Sequence, residues 1–365
     1  MSLQSTVADR RFAVDRQGLI RRLRAVLPTP ALLVEEEDMR PYDCDGLTAY
    51  RQLPLIVALP EDEAQVQAIL AICHELRAPV VARGAATGLS GGAMPHPDGV
   101  LVSLAKLKKI LRVDPVSRTA VVEPGVRNLA VSEAAAPHGL YYAPDPSSQI
   151  ACTIGGNVAE NSGGVHCLKY GLTVHNVMRV RGLTIEGEVV EFGNAALDAP
   201  GYDLLALVNG SEGLLAMITE VTVRLTPKPE LAQVVIASFA DVGKAGDAVA
   251  SIIATGIIPA GLEMMDRKAI HAVEPYVNAG YDMDAEGILL CESDGTPEEV
   301  AEEIGRMVAV LENSGASGIR VSQNESERLR FWAGRKAAFP AVGRMTPDYL
   351  CMDGTIPRKR LAEML

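Results

Sequence analysis

The stretch from Pro144 to Gly164 constrains what this chain can fold into more than any other part of it. It contains two adjacent glycine pairs, Gly155-Gly156 and Gly163-Gly164, surrounded by short polar side chains: Thr153, Asn157, Asn161 and Ser162. Glycine lets a backbone approach a ligand closely, and amide and hydroxyl groups donate and accept hydrogen bonds. A short helix beginning near Thr153 would present free N–H groups to an anion. We therefore expect a site for a large, phosphate-bearing ligand, with a simple chain-reversing turn as the alternative.

Two further glycine-rich loops have the same character. The first is Arg83–Gly92, which follows the strand-like residues 79–82, and the other is Gly210-Ser211-Glu212-Gly213. The first loop lacks the Gly-Lys-Ser/Thr ending of a Walker loop and the GxGxxG spacing of a Rossmann fingerprint. Its backbone N–H groups, with Thr87 and Ser90, are suited to a pyrophosphate, and Arg83 would fix the loop or the charge. Each loop alone is also compatible with a structural turn, but together they favour a binding site.

Composition and charge restrict the class of protein. A chain of 365 residues is long enough for about two domains, and 48% hydrophobic with 22% charged residues is typical of a globular protein. The net charge of −12 argues against nucleic acid as a partner. The six cysteines form no CxxC pair, which indicates reduced thiols in a cytoplasmic protein, without a zinc site. No apolar run reaches the length of an integral membrane segment.

Hydrophobic periodicity predicts an α+β chain in two parts. Thr226-Pro227-Lys228-Pro229 would stop any regular element, so we predict domains over residues 1–228 and 229–365. After this linker, strands and helices alternate, as in a compact α+β domain. The strands predicted there are 232–239, 261–265, 287–292 and 318–321, and the helices are 242–254, 267–273, 297–313 and 325–340. Before the linker, 177–185 and 188–192 read as a hairpin around Glu186-Gly187.

The glycine-rich loops occur in one order together with Pro60–Val66, Tyr170-Gly171 and the segment GSEGLLAMIT at Gly210–Thr219. As a set, these motifs resemble the vanillyl-alcohol-oxidase-like FAD-linked oxidases. Within that family they resemble the branch that includes bacterial glycolate oxidase and the D-lactate and D-2-hydroxyglutarate dehydrogenases. The resemblance covers nearly the whole chain. It implies an α+β fold with a two-subdomain FAD-binding domain of the vanillyl-alcohol-oxidase type, followed by an α+β cap domain for the substrate.

The resemblance also implies which residues bind FAD. The first loop would wrap the pyrophosphate, the central stretch would run on to the isoalloxazine, and the GSEG segment would hold the adenosine end. The expected cofactor-binding residues are Arg83, Gly84, Ala86, Thr87, Gly88, Leu89, Pro144, Asp145, Ser148, Thr153, Gly155, Gly156, Asn157, Ala159, Asn161, Ser162, Gly163, Gly164, Tyr170, Glu212 and Ile218. Some relatives carry a histidine in the first loop that bonds to the flavin. Ala85-Ala86 stands there in this chain, so we predict non-covalent FAD, and we interpret Cys152 as an inert small core residue.

For the substrate, the resemblance points to Arg335, within the segment Phe331–Lys336. A planar guanidinium pairs with a carboxylate through two parallel hydrogen bonds; the alternative is a solvated helix arginine. Phe339 and the Leu350-Cys351 pair stand about where the hydroxyglutarate enzymes have a threonine and a lysine for a longer diacid. We therefore expect a short 2-hydroxy acid, glycolate or D-lactate, to be oxidised to the 2-oxo acid by hydride transfer to the flavin.

One segment of the relatives has no counterpart in this sequence. Their histidine-rich metal and catalytic segment, H-x-G-D-G-N-x-H, is missing, so we expect a truncated chain with an incomplete cap, no metal ligands of its own, and weak or no turnover. The catalytic base and any metal would then belong to the missing segment. Of the six histidines, His166 follows Gly163-Gly164 and is the nearest to the expected flavin. The other five are interpreted as surface or packed residues.

The resemblance further implies partners. Electrons would leave through an iron–sulfur subunit, in a glycolate oxidase complex that also contains a second flavoprotein-like subunit. Such subunits would hold a cytoplasmic protein at the periphery of the inner membrane. A different hypothesis is a non-catalytic FAD-binding subunit that supports assembly of the complex. A nicotinamide-dependent Rossmann dehydrogenase is disfavoured by the spacing of the first loop.

Overall fold

The chain forms two compact units, and a computed structural model describes residues 14–196, 200–346 and 348–364. The first unit contains the described residues up to Tyr142, together with Ser148–Ser162 and Leu172–Thr226. The second contains Ala143–Ser147, Gly163–Gly171 and the described residues from Pro227 onward. The central glycine-rich stretch therefore contributes to both units. Because neither unit is continuous in sequence, the domain limits 1–228 and 229–365 stay a prediction.

Helices and strands are numbered in chain order. The helices are α1 Arg16–Leu23, α2 Glu36–Met39, α3 Glu63–Glu75, α4 Asn128–Ala135, α5 Ile154–Glu160, α6 Cys167–Tyr170, α7 Thr173–Asn176, α8 Leu204–Val208, α9 Val242–Ala254, α10 Arg267–Val277, α11 Pro297–Asn313, α12 Glu325–Lys336, α13 Ala338–Met345 and α14 Leu361–Met364. The strands are β1 Leu32–Leu33, β2 Ile56–Ala58, β3 Val80–Arg83, β4 Val100–Ser103, β5 Ile110–Asp114, β6 Thr119–Val122, β7 Leu140–Tyr141, β8 Val177–Leu183, β9 Val189–Gly193, β10 Met217–Arg224, β11 Thr226–Pro227, β12 Leu231–Phe239, β13 Gly261–Asp266, β14 Gly287–Gly295 and β15 Gly318–Val321. This mixture confirms the predicted α+β class.

A small sheet of the first unit, in the order β1-β2-β4-β3, carries the first glycine-rich loop. β2, β4 and β3 are parallel, and β1 is antiparallel to β2. Helix α3 connects β2 to β3 and is capped by Asp62, whose carboxylate accepts a hydrogen bond from the N–H of Gln65. Its buried residues, such as Ile69, share a core with Leu23 of α1. The loop Arg83–Gly92 thus leaves the carboxyl end of a parallel strand, where ligand-binding loops of such sheets lie.

A second sheet of the first unit is antiparallel and has the order β5-β6-β10-β8-β9. The predicted hairpin is confirmed, because β8 pairs with β9 and Gly187 adopts φ +83° at the turn. Ile218 of β10 shares a core with Ile154 and Val158 of α5. Helix α5, which contains the first glycine pair, is thereby anchored on this sheet.

The second unit is built on an antiparallel sheet in the order β13-β14-β12-β15. With α9 after β12 and α11 after β14, this is the order of the ferredoxin-like β-α-β-β-α-β motif, with α10 inserted between β13 and β14. Leu289 and Cys291 face the core formed with α9 and α11. Ile288 and Leu290 face the opposite core, formed with α10, α12 and α13. Alternation of side chains along β14 therefore separates two cores.

Most elements predicted after the linker are confirmed, and α9, α11 and β15 have the predicted bounds. Three predictions were wrong in extent. The helix expected over 267–273 continues to Val277 as α10. β14 continues past Glu292 to Gly295, because its backbone pairs with β12 as far as Leu231 and Gly295. The helix predicted over 325–340 ends at Lys336 and resumes as α13. The interruption is expected because Pro340 has no N–H to donate to the carbonyl of Lys336.

The close approach of α5 to Pro124 predicts unequal effects at the first glycine pair. A Cβ built on Gly155 lies 2.6 Å from the Cβ of Pro124, whereas one on Gly156 meets only Oγ1 of Thr153, at 3.2 Å. We expect Gly155→Ala to lower the free energy of unfolding by about 1–3 kcal/mol through overpacking. Gly156→Ala should change it little, because alanine also favours the helix. Chemical denaturation followed by circular dichroism compares the variants, and equal losses would contradict the close approach.

Candidate functional site

The first glycine-rich loop leaves its backbone N–H groups free. No described residue accepts a hydrogen bond from an N–H of residues 84–92. Ala86, at φ +55°, and Gly91, at φ +81°, adopt the left-handed region, so the chain curls instead of continuing β3. A run of free N–H groups on a curled backbone forms a concavity that binds anions.

This loop lies against both ends of α5. A Cβ built on Gly84 would lie 2.5 Å from Oγ1 of Thr153, the residue that caps the start of α5. A Cβ on Gly88 would lie 2.5 Å from Oε1 of Glu160, the last residue of α5. Ser90 Oγ also donates to Glu160, at 3.3 Å. The first loop and the central stretch therefore lie against each other within the first unit.

The third loop is attached to the same helix. The N–H of Gly210 donates to the carbonyl of Val158 at 2.8 Å, and the N–H of Glu212 donates to that of Ala159 at 2.9 Å. Glu212 itself adopts φ +54°, a left-handed conformation that costs free energy outside glycine. The backbone of α5 therefore brings the three glycine-rich segments of the first unit together.

The first loop has a basic end and an acidic end. Arg83 is 8% exposed. It lies over the ring of Tyr42 and donates to its carbonyl, and it forms no ion pair with a described residue. Burial lowers the pKa of Arg83. At the other end, burial and the nearby carboxylates of Glu160 and Asp45 raise the pKa of Glu212. A buried guanidinium without a carboxylate suits a phosphate, while carboxylates accept hydrogen bonds from hydroxyl groups.

Asn157 belongs to a buried polar cluster that secures the end of α5. It is 2% exposed, and its Nδ2 donates to Ser162 Oγ at 3.2 Å and to Cys152 Sγ at 3.4 Å. Its Oδ1 accepts from Asn128 at 2.9 Å. Cys152 is buried within this cluster, in agreement with its interpretation as a core residue. The contact of Asn157 with a cofactor stays a prediction.

The predicted site residues divide between the two units. Those in the first unit are Arg83, Gly84, Ala86, Thr87, Gly88, Leu89, Ser148, Thr153, Gly155, Gly156, Asn157, Ala159, Asn161, Ser162, Glu212 and Ile218. Those in the second unit are Pro144, Asp145, Gly163, Gly164, Tyr170 and Arg335. Their contacts with cofactor or substrate stay predictions.

In the second unit, His166 lies between two carboxylates. Its Nδ1 is 2.7 Å from Oδ2 of Asp145, and its Nε2 is 3.2 Å from Oε1 of Glu292. Glu292 is only 2% exposed. Nη1 of Arg328 donates to both of its oxygens, at 3.0 Å each, and Nε1 of Trp332 donates to Oε2. Arg328 also donates to Glu325 on its own helix through Nε and Nη2, so carboxylates and cations alternate along one network.

The network fixes the charges of its members. Burial by itself would lower the pKa of His166, but Asp145 and Glu292 outweigh burial and raise it to about 10. Burial would raise the pKa of Glu292, but His166 and Arg328 outweigh it and the pKa is lowered. At neutral pH, His166 is therefore an imidazolium that donates from both nitrogens.

A neighbouring contact attaches the predicted site residue Tyr170 to β14, the strand that carries Glu292. Its hydroxyl donates to Oδ2 of Asp294 at 2.6 Å, and Nζ of Lys169 lies 2.5 Å from Oδ1. Asp294 is 5% exposed. The segment after the second glycine pair is thus bonded to β14 at Asp294 as well as at Glu292. Position 164 requires glycine, because a Cβ on any other residue there would lie 2.5 Å from the backbone of Asp145.

The predicted substrate residue Arg335 is held at one nitrogen only. Its Nε donates to Oε2 of Glu263 on β13 at 2.7 Å, and the two side chains are 32% and 22% exposed. Neither Nη nitrogen of Arg335 has a hydrogen-bond partner among the described residues. Glu263 therefore orients the guanidinium plane and leaves its Nη edge available.

Family comparisons define the class to which these features belong. A model described as FAD binding domain matches residues 54–193, and one described as FAD linked oxidases, C-terminal domain, matches residues 228–365. The chain belongs to the FAD-linked oxidases, a family of oxidoreductases, and the predicted resemblance and FAD binding are confirmed.

Comparison with individual proteins identifies particular relatives within this family. The chain is 60% identical to glycolate oxidase subunit GlcD of Escherichia coli (strain K12) over 96% of this chain and 70% of that protein. It is 30% identical to D-lactate dehydrogenase of Anaerostipes hadrus over 95% of this chain and 74% of that protein. A solved structure of alkyldihydroxyacetonephosphate synthase shares the fold, with a TM-score of 0.76 at 19% identity over 91% of this chain and 69% of that chain. The predicted vanillyl-alcohol-oxidase-type fold is confirmed.

The residues of the first unit fit FAD. Nine consecutive residues with free N–H groups, 84–92, and the buried guanidinium of Arg83 match a pyrophosphate in charge and hydrogen bonding. The carboxylates of Glu160 and Glu212 match the hydroxyl groups of such a cofactor.

Sequence reasoning missed the partners of His166 and Arg335. Glu292 and Arg328 were read as ordinary strand and helix residues, and Glu263 was not singled out. A signal was present, because Glu292 and Asp294 are two residues apart and so share one face of a strand whose earlier residues are apolar. Acidic residues on a core-facing side are rarely buried unless they are paired.

The His166 network predicts a loss of stability at alkaline pH. The folded-state pKa of about 10 exceeds the ordinary 6.5, so its stabilisation is complete below pH 6.5 and is lost as the pH rises toward 10. The free energy of unfolding should fall by roughly 1.4 kcal/mol per pH unit within this window. His166→Gln should remove this dependence, whereas the exposed His138→Gln should keep it. Denaturation followed by emission of Trp332, the single tryptophan, measures both; parallel declines would contradict the network.

Proposed function

We propose that the protein uses FAD to oxidise a short 2-hydroxy acid, glycolate or D-lactate, to the 2-oxo acid. The observation that carries this proposal is the free Nη edge of Arg335 in a chain that belongs to the FAD-linked oxidases. Relatives named glycolate oxidase subunit and D-lactate dehydrogenase support the substrate class. The common chemical feature of those two substrates is one carboxylate beside a hydroxyl-bearing carbon.

Arg335 would bind the substrate carboxylate. Its two Nη groups can donate in parallel to both carboxylate oxygens, as a guanidinium prefers. Glu263 holds Nε and so prevents rotation of the plane. Because Glu263 lies on β13 and Arg335 on α12, both groups stand on regular elements, which position side chains better than loops do. Fixing the carboxylate would determine which hydrogen of the substrate carbon is presented for transfer.

The first unit would hold the cofactor. The free N–H groups of residues 84–92, with Arg83, would bind the pyrophosphate, and Glu160 and Glu212 would accept hydrogen bonds from cofactor hydroxyls. When bound, FAD supplies the hydride-accepting chemistry. Ala85-Ala86 in the loop has no nucleophilic side chain, which supports non-covalent binding.

His166 would not serve as the base that takes the substrate hydroxyl proton. Both ring nitrogens are engaged by Asp145 and Glu292, and a pKa of about 10 keeps the ring protonated at neutral pH. A general base must have an unprotonated atom at the operating pH. We therefore assign His166 a charge-bearing role in the network and no proton-accepting one.

A short substrate is favoured by the apolar residues where longer diacids would need polar groups. Phe339 packs with Tyr349, with ring centroids 6.4 Å apart, and Leu350-Cys351 follows. None of these residues offers a positive charge to a second carboxylate. A diacid would bury an unpaired charge and bind poorly.

The proposed setting is a multi-subunit oxidase. GlcD is named a glycolate oxidase subunit, and we propose that this chain likewise passes electrons to an iron–sulfur subunit and assembles with a second flavoprotein-like subunit. Helices of the described residues are all too short or too polar to cross a bilayer. Attachment to the inner membrane would therefore depend on those partner subunits.

The cofactor and reaction are tested by an absorption spectrum of the purified protein before and after anaerobic addition of glycolate or D-lactate. We expect a flavin spectrum, release of the flavin by acid because no covalent bond holds it, and bleaching by one of the two acids. Flavin that stays with the acid-precipitated protein would contradict non-covalent binding. Bound flavin that neither acid reduces would favour the non-catalytic subunit over the oxidase.

Substitution of Arg335 tests the substrate carboxylate contact. Arg335→Lys loses the parallel pair of hydrogen bonds while keeping the charge, so KM for glycolate should rise roughly 10- to 100-fold. Flavin content should not change. The matched control is Arg330→Lys on the same helix, where Arg330 pairs with Glu327 and is 52% exposed. Unchanged KM in Arg335→Lys would rule out the assignment.

A further inference from the structure

We propose that Glu292 is a positioning residue for substrate binding, which holds helix α12 so that Arg335 presents its Nη edge. This inference rests on the proposed function of Arg335. Glu292 would not contact the substrate. It would act through Arg328 and Trp332, which lie on the same helix as Arg335.

The location of Glu292 on β14 is the first argument. Ile288 and Leu290 face the core formed with α10, α12 and α13, and Glu292 and Asp294 follow at two-residue spacing on the same face. Both carboxylates are nearly inaccessible, at 2% and 5% exposed. An apolar side chain at position 292 would simply extend that core, whereas a buried carboxylate must be desolvated.

The second argument is the spacing of residues on α12. Arg328, Trp332 and Arg335 follow one another at four and three residues, which places them on one side of an α-helix. Arg328 donates to both oxygens of Glu292, and Trp332 donates to one of them. Two donors a turn apart, bound to a single carboxylate, fix both the rotation and the axial position of the helix.

The third argument is that Arg335 meets the same face of the sheet. Gly261 is the ladder partner of Glu292, and Glu263 is two residues further along β13, so the two carboxylates share a face. Gly261 leaves room for the indole, because a Cβ there would lie 3.1 Å from Cζ2 of Trp332. With the helix fixed at Glu292, Glu263 can hold Nε of Arg335 and leave the Nη edge free.

The charge pattern indicates a role in geometry beyond stability. His166 and Arg328 flank Glu292, while Asp145 pairs with His166 and Glu325 pairs with Arg328, so each of the two cations lies between two carboxylates. Replacing such a buried network by apolar residues is often neutral or stabilising. A network of this kind is better explained by the arrangement it fixes, here the register of α12 against β14.

The test measures binding of pyruvate, a monocarboxylate whose second carbon has no hydrogen to transfer, by calorimetry on the FAD-loaded protein. Arg328→Gln should raise the Kd for pyruvate roughly tenfold, because the helix loses the hydrogen bonds from Arg328 to both oxygens of Glu292. Arg328→Lys should restore part of this loss. In the Arg335→Lys background, Arg328→Gln should have no further effect on Kd, since the residue it positions is already altered. Arg330→Gln, on the exposed side of α12, is the matched control.

The outcomes separate this inference from the proposed function. If the wild-type protein neither binds pyruvate nor is reduced by glycolate or D-lactate, the proposed function fails. If the wild type does both but Arg328→Gln matches Arg330→Gln, the positioning role is overturned while the function stands. The positioning role is also overturned if Arg328→Gln raises Kd by the same factor in the wild-type and Arg335→Lys backgrounds. A purely structural loss would not depend on the residue at position 335. Should Arg328→Gln not fold, judged by Trp332 emission, the same comparison is made with Arg328→Lys.

Discussion

A buried carboxylate cannot remain without partners, and the second unit is arranged around that requirement at Glu292. Its oxygens receive hydrogen bonds from Arg328 and Trp332 on α12 and face the imidazolium of His166. One strand position therefore connects the sheet, the helix that carries Arg335, and the segment after the second glycine pair. Removing either cation would leave a desolvated charge, a change that typically costs about 3–5 kcal/mol. The register of α12 on the sheet follows from this single group.

The first unit uses a different principle, in which the backbone itself provides the binding groups. Its first loop approaches α5 so closely that a Cβ on Gly84 would lie 2.5 Å from Oγ1 of Thr153, and the N–H groups of this loop remain free. Such a surface recognises charge and shape with few side chains, as suits a large cofactor. The second unit instead offers an oriented side chain, Arg335, which suits a small substrate. The two kinds of recognition match the two kinds of ligand that an FAD-linked oxidase handles.

This difference explains which parts of the site were visible in the sequence. Backbone recognition requires glycine at defined positions, so the loops around Gly84, Gly155 and Gly210 could be found by inspection and together indicated the family. A side-chain network leaves no comparable local pattern. His166 was noticed only because it follows a glycine pair, and its partner Glu292 is more than a hundred residues away in the chain. The individual cofactor and substrate contacts remain predictions.

The sequence by itself determined the α+β class, most strands and helices of the second unit, and membership of the FAD-linked oxidases, because periodicity, caps and glycine positions are local properties. The tertiary structure alone decided that β14 extends to Gly295, since that part of the strand pairs with the start of β12. It alone decided the charge of His166, because a pKa depends on which groups surround the ring. It also decided that Glu263 holds Arg335 at Nε. These features depend on residues distant in sequence, which only folding brings together.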